Sequence, residues 1–270
     1  MEIQSFDTPG ALTVQLKVPA GDIAVHARDA RTTELSIEGA KRPEDYVVRF
    51  DDLADGGHRL LVEYRGRKIG FSFRSEVRIT IDCPLGTSVE SESGSADVVA
   101  RGRLGSIAAR TGSGDLSFDE VEGAITVKCA SGDVEGGTVG GSFVMNAASG
   151  DVRLTHVAGD LVMKAVSGDL EAGSVGGDVT VNTVSGDVDL GTVHRGVTAI
   201  SSVSGDVKVG VAPGTSVLLD LNAATGDATS DLDLGGGAQG QAQLELRVNT
   251  VSGDIRVLRA RSRALETDAG

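Results

Sequence analysis

Nine aspartates each close a Ser-Gly-Asp tripeptide or a near variant: Asp97, Asp115, Asp133, Asp151, Asp169, Asp187, Asp206, Asp227 and Asp254. The first five intervals between them are 18 residues, and the next three are 19, 21 and 27. Carboxylates at a fixed interval could bind Ca²⁺, because toxin-type nonapeptide β-rolls stack aspartates around that ion between rungs. Asp133, Asp151, Asp169 and Asp187 would then be the ligands. Those toxin repeats carry one large apolar residue in nine and use the ion as their core. Here a nonapeptide carries up to three, so hydrophobic burial can hold the coil without metal. The second turn of each repeat also often lacks its acid, since Ala124, Ser142 and Gly196 fall at or beside the place of Asp160 and Asp178. The tripeptide reads more simply as a turn. Glycine at 132, 150, 168, 186 and 205 supplies positive φ, while aspartate and serine oxygens accept turn N–H groups. The turn is the preferred reading, no cofactor is expected, and a calcium-binding β-roll is the alternative.

Catalytic chemistry has less to stand on. His26, His58, His156 and His194 occur in unrelated contexts, and neither a Gly-x-Ser-x-Gly elbow nor a P-loop is present. A carboxylate row could host glycoside hydrolysis, which makes a carbohydrate-acting enzyme the second alternative. Carbohydrate sites usually add exposed aromatics, however, and residues 91–258 contain only Phe118 and Phe143. Two basic clusters could meet an anionic partner or membrane surface. Arg65, Arg67 and Lys68 precede Ile69, Phe71 and Phe73, while Arg256, Arg259, Arg261 and Arg263 mark the C-terminal end. Their plainer roles are a solvated loop and a charged guard on an open edge. Cys83 and Cys129 are the only cysteines and sit in apolar, strand-like contexts, as small buried side chains would.

The elements that carry these residues follow from a finer period. Residues 149–157, 158–166, 167–175 and 176–184 all fit x-Gly-Asp-Φ-x-Φ-x-x-Val, with Φ usually apolar. Alternation over three residues means a short strand, and Gly-Asp means a turn. A helix is excluded, because a glycine every nine residues would cost about 1 kcal/mol each relative to alanine. Each 18-residue unit is therefore strand, turn, strand, turn. Stacked at a strand spacing of about 4.8 Å, such units make a parallel β-solenoid. A left-handed three-sided coil also fits 18 residues, but its sub-period is six and this one is nine, so a two-faced, β-roll-like coil is expected. The facing sheets would lie about 10 Å apart. Columns of valine and leucine, including Val152, Leu154, Val157, Leu161, Met163 and Val166, would fill that gap. Arg153, Thr155, Thr180, Asn182, Asp189 and Lys208 would point outward. A core this thin explains why the chain has 38 glycines, no tryptophan and only eight aromatic residues.

Residues 1–90 hold six of those aromatics and lack the strict period, so they are expected to form an irregular β-rich cap continuous with the solenoid of residues 91–258. Residues 259–270 read as a polar tail. The last regular strand is expected to be Ile255-Arg256-Val257-Leu258, guarded by the arginine-rich tail and the glycine-rich segment 235–240. The outcome would be a monomer or a weak end-to-end oligomer. A formal charge of −14 disfavours nucleic acid. No apolar run is long enough for a membrane span. The N-terminus has neither a basic n-region nor an apolar h-region, so a cytoplasmic protein without signal peptide is expected.

The Ser-Gly-Asp-Val repeats, the opening Val18-Pro19-Ala20-Gly21-Asp22 and the entry Pro84-Leu85-Gly86-Thr87-Ser88-Val89 together resemble a bacterial family of unknown function, labelled "putative adhesin" or toast-rack β-strand-repeat domain. The resemblance runs from about residue 8 to 258. It implies a repetitive β fold, adhesion, and for some relatives a place in envelope-stress signalling. It supplies no active-site residues. The function expected is a non-enzymatic, adhesin-like scaffold that presents a rigid acidic repeat surface to a protein partner.

Overall fold

The computed structural model describes residues 3–66, 77–232 and 243–260. Among the described residues every long element is a strand, and the one helical segment is a 3₁₀ turn at Pro43–Asp45. Among the described residues no helix is long and apolar enough to cross a membrane.

Residues 3–104 supply β1 (Ile3–Asp7), β2 (Leu12–Arg28), β3 (Thr32–Glu38), β4 (Tyr46–Asp52), β5 (His58–Tyr64), β6 (Arg78–Pro84) and β7 (Ser88–Leu104). The regular coil follows, two strands to a rung. These pairs are β8 (Ile107–Ser113) with β9 (Leu116–Val121), β10 (Ile125–Ser131) with β11 (Val134–Val139), and β12 (Phe143–Ser149) with β13 (Val152–Val157). Next come β14 (Leu161–Lys164) with β15 (Leu170–Val175), β16 (Val179–Ser185) with β17 (Val188–Val193), and β18 (Gly196–Ser204) with β19 (Val207–Val211). The last two pairs are β20 (Val217–Thr225) with β21 (Ala228–Ser230), and β22 (Leu244–Ser252) with β23 (Ile255–Arg259).

Even-numbered strands from β8 to β18 pair in parallel with one another, and odd-numbered strands from β9 to β19 do the same. The coil is thus the two-faced parallel solenoid the nonapeptide implies. β2 and β7 are long enough to serve both stacks, each bending over the edge as a complete rung. The expected boundary at residue 90 falls inside β7.

The ends differ from sequence order. β22 and β23 insert between β18–β19 and β20–β21, so the outermost C-terminal rung is β20–β21. The expected terminal strand at Ile255–Leu258 is therefore corrected: it is paired on both sides. The long intervals of 21 and 27 residues hold the crossing. The N-terminal end behaves alike, because β5 and β6 pair outside β2, which has β7 on its other flank. Antiparallel strands β4, β3 and β1 continue from there. The first and last full rungs of the chain are each held between two others.

The core is a set of one-residue columns. Val14, Val89, Ile107, Ile125, Phe143, Leu161 and Val179 stack in register in the first stack. Opposite them run Ile23, Val98, Leu116, Val134, Val152, Leu170, Val188 and Val207. All of these are buried. One large residue demands a small neighbour: a Cβ on Gly136 would enter the ring of Phe118. At the N-terminal end Phe6 stacks on Phe50 at 4.8 Å between ring centroids, and Tyr46 lies 5.1 Å from Tyr64, so aromatic bulk gathers there.

One core assignment is corrected. Val166 is 57% exposed, and its successors Val184 (46%), Val203 (48%) and Val251 (54%) point outward with it. Val139, Val157, Val175 and Val193, which close the other nonapeptide, are fully buried. The two half-rungs look alike in sequence yet differ in parity. From Leu161, strict alternation puts Met163 and Ala165 inward and Val166 outward, whereas between Leu154 and Val157 the alternation is reset.

Candidate functional site

The Ser-Gly-Asp turns all fall on one long edge of the solenoid. At each, glycine takes a φ that L side chains rarely adopt: 147° at Gly132, 144° at Gly150, 138° at Gly168, 145° at Gly186 and 137° at Gly205. The backbones also approach closely, so a Cβ at Gly186 would overlap the carbonyl oxygen of Gly168 one rung below. Threonine hydroxyls brace the turn from beneath. Thr111, Thr183 and Thr250 each donate to the carbonyl of the turn residue two positions on, at 3.0, 3.1 and 3.3 Å.

The aspartates form a ladder between rungs instead of capping their own turns. The N–H of Asp115 donates to Oδ1 of Asp97 at 2.9 Å, and that of Asp133 to Asp115 at 2.8 Å. The same bond links Asp151 to Asp133, Asp169 to Asp151, Asp187 to Asp169 and Asp206 to Asp187 at 2.8–2.9 Å. It then runs to Asp254 and last to Asp227, tracing the spatial order of the rungs and not the chain order. A shorter ladder at the opposite edge joins Asp160 to Asp178 and Asp178 to the N–H of Val197.

One oxygen of each ladder carboxylate before the terminal Asp227 is therefore committed to the next rung. The Ser-Gly-Asp turns from Ser113 to Gly186 line an open trough of about 620 Å³. Val166, Val184, Val203 and Val251 stand immediately before the turn serines and border this edge as an apolar ridge. On the same outer face, two residues further from the edge, lie Lys128, Asn146, Lys164, Asn182, Ser201 and Asn249, one per rung. From the edge inward the surface reads acidic, apolar, then basic and amide.

Sequence reasoning found the aspartates but missed the valines beside them. The residue before the valine gives no signal, because Thr138, Ser174 and Thr192 precede the buried Val139, Val175 and Val193 just as Ala165, Thr183, Ser202 and Thr250 precede the exposed ones.

The remaining candidates disperse. Arg65 pairs with Glu63 at 2.8 Å. Arg259 donates to the carbonyls of Ala212 and Thr215 at 3.1 and 3.0 Å, which ties the last strand to a turn. Arg67, Lys68, Arg261 and Arg263, with Ile69, Phe71, Phe73 and segment 235–240, lie outside the described residues. His58 is held by Asp52 at 2.8 Å and stacks on Phe50, and His156 contacts the Ser174 hydroxyl at 2.6 Å. His26 lies 3.4 Å from Asp82, which also pairs with Arg28 at 2.8 Å. The Gly102 N–H, and next the Arg101 guanidinium, hold the exposed Asp119 carboxyl below its ordinary pKa where β7 bulges. Burial pushes the Cys83 thiol up to about 11 and raises that of Cys129, so neither is a ready thiolate at neutral pH.

Among the described residues, no three His, Cys, Asp or Glu side chains converge as a metal-binding group. Ladder bonds and hydrophobic columns join the rungs directly. The far-ultraviolet circular dichroism of the protein is therefore expected to keep its β signature in excess chelator. Collapse of that signal would show that calcium holds the coil together.

Residues 13–258 match the model of the family described as Toastrack DUF4097. Among solved structures, a "putative adhesin" from Bacteroides fragilis is 15% identical, with 95% of this chain and 96% of that one covered and a TM-score of 0.46. A "putative lipid binding protein" from Parabacteroides distasonis is 14% identical, with 95% and 96% covered and a TM-score of 0.40. A "putative cell adhesion protein" from Clostridium sporogenes is 12% identical, with 96% and 98% covered and a TM-score of 0.27. No curated protein matches the sequence.

Proposed function

Because the chain belongs to the Toastrack family, whose model spans residues 13–258, we propose that it is a non-enzymatic, adhesin-like interaction scaffold that presents its Ser-Gly-Asp edge to a protein partner. The observation that carries this reading is the exposed valine ridge beside the aspartate ladder. Four outward valines in consecutive rungs lie outside the core and leave about half of each side chain to solvent. Beside a row of fixed carboxylates they make a linear, rigid, amphipathic surface. A partner segment with basic side chains over the aspartates and apolar ones over the valines would match it. Phe118 and Phe143 are both buried, so the repeats offer no aromatic platform of the kind sugars stack on. Envelope-stress signalling is the setting that the family resemblance suggests.

The test is a capture experiment from native lysate with three baits: the full chain, Val184→Asp and Val203→Asp. Both substitutions fall on exposed positions and leave the core untouched. The expected result is a protein bound by the unmodified chain, released as salt is raised, and absent from both variants. Identical captures on all three baits would remove the ridge from the binding surface.

A further inference from the structure

The outermost C-terminal rung leaves an edge with the features of an unfinished sheet. Among the described residues β20 pairs on one side only, with β22. Its inward residues Val217, Leu219, Leu221 and Ala223 pack on the core yet are only half-buried. Equivalent positions in the interior rungs, such as Leu161 and Met163, are fully buried. Leu218 on the outer side is 56% exposed. A strand edge with open backbone groups and a half-covered apolar column is a template for one more strand.

The sequence of β20, Val-Leu-Leu-Asp-Leu-Asn-Ala-Ala-Thr, says which strand fits. We infer that the protein forms a two-fold homodimer in which β20 pairs antiparallel with β20 of a second copy, centred on Leu221. In that register Leu221 faces itself, and Leu219 faces Ala223, so the inward column continues from one molecule into the other. On the outer side Leu218 faces Ala224, and Asp220 of one copy faces Asn222 of the other. No like charges lie directly opposite, and the amide can donate to the carboxylate. The parity is correct as well: every inward residue meets an inward residue, as a continuous core requires. The same axis turns β21 toward its copy, and its residues Ala228, Thr229 and Ser230 are small. A head-to-tail contact would instead lay β20 on the antiparallel strands of the other end and propagate into a filament. The self-complementary register favours closure.

Sedimentation velocity on the full chain tests this. Two chains of formal charge −14 repel one another, so dimer should gain over monomer as NaCl rises from about 0.05 to about 0.5 M. Asn222→Asp sets two pairs of carboxylates face to face and is expected to weaken association about tenfold. Adding Asp220→Asn to it restores the acid–amide pairing and should restore the dimer. Both positions are exposed, so folding is not in question. Leu221→Cys brings two thiols together at the axis, with Cα atoms about 4.5–5.5 Å apart, inside the span a disulfide bridges. Oxidation should link that variant into a dimer and leave the unmodified chain unlinked. A monomer at every salt concentration, mass that grows without limit, or a dimer indifferent to Asn222→Asp would each overturn the inference.

Discussion

Val188→Asp is expected to cost more than about 4 kcal/mol and leave little folded protein, while Val184→Asp, four residues earlier, should shift stability by no more than about 0.5 kcal/mol. Both replace a valine by the same acid in the same repeat. Val188 is 2% exposed and stacks between Leu170 and Val207, with the opposite strand stack across a core one side chain deep. A carboxylate there would be buried among the apolar side chains of the core. Val184 points away from the core and is nearly half exposed. Urea denaturation of the two variants beside the unmodified chain checks the pair. Equal midpoints would mean that the parity of the half-rungs is misassigned.

Gly186→Ala is expected to destabilise by about 3 kcal/mol, three times the cost of positive φ alone. From sequence, the turn glycine explains about 1 kcal/mol, the usual penalty for placing a Cβ on a left-handed residue. The solenoid adds a second demand. Gly186 sits directly over Gly168, and the new Cβ would overlap the Gly168 carbonyl, whose peptide N–H at Asp169 is held by the ladder bond to Asp151. Gly214→Ala separates the two effects. Its φ is 78°, yet nothing lies within 4 Å of the added atom. That variant should lose only about 1 kcal/mol. If the two substitutions cost the same in thermal or urea unfolding, close approach between rungs plays no part.

The repeat made much of the architecture legible without coordinates. A Gly-Asp every nine residues dictates a turn, and three alternating residues dictate a strand between turns. An 18-residue unit of this kind can bury its apolar side only by stacking on its copies. Those are local requirements, which any segment of the chain states in full. The two-faced parallel coil and the glycine turns could therefore be read from the nonapeptides alone.

Three features needed the tertiary structure, for related reasons. Val157 and Val166 end nonapeptides of the same form, but the direction of a side chain depends on the count of residues from the last inward one, and a bend resets that count in one half-rung only. The ladder of aspartates was visible as a column, but its bond reaches the next rung, and a sequence does not say which N–H is one rung away. The order Asp206, Asp254, Asp227 is the sharpest case. Thr225-Gly226-Asp227 and Ser252-Gly253-Asp254 are chemically equivalent turns, and either could stack on Asp206. Parallel rungs pair by shape and register and not by chain succession, so a connection long enough to cross one rung frees the order. The residues specify what a rung is, and only the packing of rungs decides which neighbours each one has.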